Sequence, residues 1–66
     1  MPDAQEALKM KYRLLQKVRA VWQEQVHIET LAWNGKDPKP AALATAEAHR
    51  DRLDIELARI ADRVRG

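Results

Sequence analysis

Apolar residues recur through the first half of this chain at three- and four-residue intervals, the spacing of one helix face. Ala4, Ala7, Leu8, Met10, Leu14, Leu15, Val18, Val21, Trp22, Val26, Ile28 and Ala32 fall on a single arc. At 100° per residue that arc is roughly 200° wide, about twice the stripe that a surface helix needs. It resolves into two adjacent seams. One contains Leu8, Leu15, Val18 and Trp22; the other contains Ala7, Leu14, Val21 and Ile28. The second half carries one heptad seam, Leu43, Ala46, Arg50, Leu53, Leu57, Ile60 and Val64.

Punctuation residues divide the two patterns. Asp3 is a helix N-cap with Glu6 in the capping-box position. Asn34-Gly35 stops the first helix, glycine supplying the left-handed residue after it. Asp37 then caps a second helix with Pro38 in its first position and Pro40 in its third, where a missing N–H costs nothing. The sequence thus predicts one all-α domain. Helix 1 spans about 4–33, a turn 34–37 and helix 2 about 38–65. So short a connection forces an antiparallel hairpin.

A two-helix rod has little interior, and 66 residues without cysteine have no disulfide staple. The surplus face of helix 1 therefore predicts a homodimer, two hairpins closing into a four-helix bundle. Leu8, Lys11, Leu15, Val18, Val21, Trp22, Gln25 and Glu29 are its expected interface. Lys11 and Glu29 lie symmetrically about Ala20, so two antiparallel copies of helix 1 would bring them together and set the register. Alternatively, both side chains extend to solvent at the arc's edge. Arg50, a charge in the seam of helix 2, needs either Glu47 one turn back or a partner on helix 1.

Composition narrows function mostly by exclusion. Absence of cysteine removes cysteine-based zinc sites and fits a reducing cytoplasm. No apolar run reaches membrane-span length, and the Met1-Pro2-Asp3 start does not resemble a signal peptide. Met1 and Gly66 suggest a complete small reading frame, and the abundance of Ala and Arg suggests a high-GC bacterial or phage source. Only two glycines are present, so there is no phosphate-binding loop, and no nucleophile–base arrangement stands out. His27 and His49, with Glu24 or Glu47, lack the spacing of a metal site and read as exposed histidines. Glu47, Asp51, Asp54, Glu56 and Asp62 alternate with Arg50, Arg52, Arg59, Arg63 and Arg65 as a solvated face. No enzyme, cofactor or small-molecule substrate is expected.

Twelve basic residues against ten acidic ones leave a net charge of +2, modest for a nucleic-acid binder. Lys9, Lys11, Arg13, Lys17 and Arg19 are nevertheless clustered, and Tyr12 among them offers a stacking surface. Lys9, Arg13 and Lys17 are the candidates for phosphate contacts. Tyr12, Trp33, Arg52 and Ile55 are the candidates for contact with another protein, because aromatic residues and arginine anchor interfaces and Ile55 lies opposite the helix 2 seam.

The short chain, the two helices, the tight turn and the segment Ala7-Leu8-Lys9-Met10 resemble the small plasmid-encoded helical hairpins of the Rop type. That resemblance implies a four-helix-bundle dimer that binds RNA through the polar face of its first helices, here Lys9, Arg13, Gln16 and Lys17. The chain is equally similar in kind to phage accessory proteins that bind and disable a host regulator. The leading expectation is a cytoplasmic, non-enzymatic homodimer that binds another protein as a regulator or inhibitor. The alternative is a Rop-like RNA-binding dimer.

Overall fold

In the computed structural model, which describes residues 3–65, two helices pack against each other as a hairpin: α1 (Ala4–Ala32) and α2 (Ala41–Arg65). Asp3 is extended and its carboxylate accepts from the Glu6 backbone N–H at 2.8 Å, so the expected N-cap forms. The Met1-Pro2 start and the terminal Gly66 lie outside the described residues.

The connection departs from the expected one at both ends. Helix α1 ends at Ala32, and Trp33 rather than a glycine follows it, extended at φ −91° and ψ 133°. Its indole N–H donates to the Asp37 carbonyl at 2.9 Å, while its ring packs on Val26, Leu43 and Ala46. That anchorage pulls the chain out of the helix one residue early. Gly35 does adopt a positive φ of 77°, but inside the loop rather than directly after the helix. There Asn34 makes the turn: its Oδ1 accepts from the backbone N–H of Lys36 at 2.9 Å and of Asp37 at 3.0 Å.

Helix α2 begins at Ala41, not at Pro38, and Asp37 is not its cap. Pro40 is the reason. A proline disfavours the α region for the residue before it, which works against a helix running from Pro38 through Lys39. The Pro40 carbonyl instead accepts from the Ala44 N–H at 3.1 Å. The Asp37 carboxylate serves the loop, accepting from Asn34 Nδ2 at 2.9 Å.

The α2 seam matches the sequence pattern. Leu43, Ala46, Leu53, Leu57 and Ile60 are buried, and Arg50 and Val64 are half-buried. Arg50 reaches across: one guanidinium N–H donates to Gln23 Oε1 at 3.2 Å, and two others hold Asp51. The wide α1 arc divides as its two seams do, one edge turned to α2 and the other left open. Val26 is buried, and Leu8, Tyr12, Leu15 and Trp22 are half-buried, whereas Leu14, Val21 and Ile28 on the opposite edge are exposed.

A rod results, 52 × 17 × 14 Å. Its radius of gyration is 15.3 Å, against about 11 Å for a compact chain of this length. Its accessible surface is 5189 Å², against about 4300 Å² for a compact 7.6 kDa protein. No helix among the described residues is long and apolar enough to cross a membrane.

Candidate interaction surface

Two helices can each cover only one face of the other, and α1 has more than one apolar face. The uncovered one runs the length of the helix through Met10, Leu14, Val18, Val21, Ile28 and Leu31, which are 38 to 73 % exposed. On most monomers the largest apolar patch is about 300–600 Å² and is commonly functional. Charged residues border this face. Lys17 and Glu24 are exposed on one side; Lys11, exposed, and Glu29, half-buried, lie on the other. Glu29 accepts from Gln25 Nε2 at 3.1 Å, one turn earlier in the helix, which leaves its second oxygen available.

The expected interface residues therefore divide. Val18 and Val21 belong to the open face, with Lys11, Gln25 and Glu29 at its border. Leu8, Leu15 and Trp22 are half-buried on the side turned to α2, and Trp22 packs on Val26, Leu43 and Ala46. Leu14, Ile28 and Met10 complete the open face. They stand in the apolar arc of the sequence, but which half of that arc stays uncovered depends on the rotation of α1, which periodicity does not encode.

The four candidate anchors for another protein are not brought together. Tyr12 lies in the terminal half of the hairpin and Trp33 at the loop end, about 30 Å apart along α1. Trp33 is half-buried and engaged internally, so it is a core-edge residue rather than a free anchor. Ile55 is 56 % exposed, as its position opposite the seam requires. Arg52 is exposed and donates to His49 Nδ1 at 2.8 Å. His49 is not the exposed histidine expected. It is half-buried and stacks on Trp22, because its place at the seam edge brings it over the α1 indole. His27 is exposed, and among the described residues no group of three or more His, Cys, Asp or Glu side chains is placed to hold a metal ion.

The basic candidates do share a site in part. Lys9, Tyr12 and Arg13 of α1 and Ala61, Val64 and Arg65 of α2 line a cleft of about 280 Å³ near the terminal end. Lys17 lies outside it, in a shallow depression of about 480 Å³ with Met10, Lys11, Arg13 and Leu14. Gln5 ties this end together, donating to the Val64 carbonyl at 2.8 Å.

Across the middle of the hairpin, Arg19 Nε donates to Asp54 Oδ1 at 2.7 Å. That bond, with the attraction of the two charges, holds the Asp54 carboxyl below its ordinary value and the Arg19 guanidinium above its own. Lys39 pairs with Glu47 at the loop end. These contacts orient the helices; none forms a nucleophile–base arrangement.

No protein family, curated protein or solved structure matches the chain.

Proposed function

We propose that this protein is a non-enzymatic binding module that acts by helix–helix association. Two copies join into a four-helix bundle, and the assembled bundle binds another protein as a small regulator or inhibitor. The observation that carries the reading is the apolar face of α1, open from Met10 to Leu31 while the same helix already covers α2. A rod with this excess of surface gains stability mainly by burying it against another helix. With α1 engaged in the dimer, the outer side of α2 remains for the partner, where Ile55 is exposed beside Arg52.

Sedimentation over a range of concentrations tests the dimer: a species of twice the 7.6 kDa chain mass is expected. Affinity capture from the native host, with and without nuclease, tests the partner. A nuclease-resistant protein retained in high salt and lost on Ile55→Glu supports the reading. Recovery of a discrete RNA overturns it.

The terminal cleft favours a second reading, an RNA-binding dimer, because Lys9, Arg13 and Arg65 converge there around Tyr12. Three phosphate contacts would make log affinity fall with log salt at a slope of about −2 for a single strand. Apolar contact with a protein has a much flatter dependence.

A further inference from the structure

The open face of α1 carries a charge pattern that specifies its own partner. At 100° per residue, Met10, Leu14, Val21, Ile28 and Ala32 lie within about 40° of one another. Lys17 and Glu24 flank this line on one side, Lys11 and Glu29 on the other. The midpoint of each pair falls at Ala20–Val21. A two-fold axis perpendicular to both helices, and to the plane containing them, keeps each flank on its own side while reversing direction. Residues equally far above and below the axis then meet.

We propose that a second copy of the chain covers this face, α1 lying antiparallel on α1 about an axis at Ala20–Val21. Lys17 of each copy pairs with Glu24 of the other on one flank, and Lys11 with Glu29 on the opposite flank. The inference rests on the self-association proposed above and adds its face, direction and register. In this register the apolar line is also self-complementary: Leu14 sits opposite Ile28, Met10 opposite Ala32, and Val21 meets its own copy on the axis. The depression beside Met10, Leu14 and Lys17 lies at the height of the second copy's Ile28 and Leu31.

Competing arrangements place like charges together. Parallel helices in register set the Lys17–Glu24 flank of one copy against the Lys11–Glu29 flank of the other, where the nearest neighbours in height are like charges, Lys17 with Lys11 and Glu24 with Glu29. Sliding the antiparallel pair by one heptad sets Lys17 on Lys17 in one direction and Glu24 on Glu24 in the other. Juxtaposed like charges oppose association and set register through the alternatives they exclude. The area is also commensurate. The rod's excess over a compact chain is close to the roughly 800 Å² that each partner contributes to a standard interface.

Because the chain has no cysteine, single substitutions report the register directly. Wild-type sedimentation comes first. Leu14→Cys and Ile28→Cys chains, mixed and mildly oxidised, should form a mixed disulfide dimer. Neither alone should cross-link, since its two thiols would stand about 20 Å apart, far beyond the roughly 7 Å Cα limit of a disulfide. Lys17→Glu and Glu24→Lys should each weaken the dimer about tenfold, and the double exchange should restore it. A wild-type chain that stays monomeric sinks the self-association reading itself. A dimer whose Leu14→Cys chains cross-link with each other, or whose double exchange gives no rescue, overturns only the antiparallel register. Helical circular dichroism confirms that each variant is folded.

Discussion

The Trp22 indole and the His49 imidazole are stacked across the hairpin, with ring centroids 4.4 Å apart and planes inclined by 23°. Trp22 also packs on the small core formed by Val26, Leu43 and Ala46, so the stack ties the α2 imidazole to the core through the α1 indole.

Removing either ring should therefore destabilise the hairpin unequally. His49→Ala loses the stack and is expected to cost about 1 kcal/mol. Trp22→Ala also uncovers the core and is expected to cost about 3 kcal/mol. Urea unfolding of both singles and the double variant measures the coupling between them. Strict additivity would show that the stack contributes nothing.

Gly35 provides a test of backbone conformation free of packing. Its φ is +77° and a Cβ there would meet nothing within 4 Å. Gly35→Ala should still destabilise by about 1 kcal/mol, because an L side chain is strained in that region. Gly35→Asn should cost less, as asparagine tolerates the conformation better. Equal stability of all three chains by thermal unfolding would contradict the backbone account.

The Arg19–Asp54 pair predicts the sign of an acid transition. Asp54 is held below its ordinary value of 3.8, first by the hydrogen bond from Arg19. A carboxyl with a depressed folded value favours the folded state above the unfolded value, and that contribution is lost as pH falls through the folded value. The melting temperature should consequently drop more steeply below about pH 3.8 in the wild type than in Asp54→Asn. In Arg19→Gln, carbon-detected NMR should show Asp54 titrating at a higher pH than in the wild type.

Two leucines should separate folding from assembly. Leu43 is 2 % exposed, so Leu43→Ala is expected to cost about 3 kcal/mol of unfolding free energy at any protein concentration. Leu14 is 62 % exposed, and Leu14→Ala should leave the helicity of the dilute chain intact while weakening self-association. Sedimentation and circular dichroism on the same samples check both; loss of helicity in dilute Leu14→Ala would place that leucine in the hairpin core.

Much of the fold is legible in the order of residues. Asp3 marks the first helix start because capping is local, needing only a carboxylate three residues before a free N–H. The α2 seam from Leu43 to Val64 is legible because that helix has a single apolar line, so only one face can be inside. Arg50 in that seam announces its need for a partner, though not that Gln23 and Asp51 would supply it. The start of α2 was also written in the sequence, in the restriction that Pro40 places on Lys39, a stronger local signal than the Asp37-Pro38 pair.

What the sequence determined by itself was the pair of helices, their antiparallel return and the surplus of apolar surface on the first. Only the tertiary structure decided which part of that surplus is left over. Two adjacent seams on α1 have nearly equal apolar content, so periodicity cannot choose between them. The choice falls to contacts between residues far apart in the chain: Trp22 on His49, Arg19 with Asp54, Gln23 with Arg50. Together they rotate α1 so that its aromatic edge meets α2 and the line through Leu14, Val21 and Ile28 stays open.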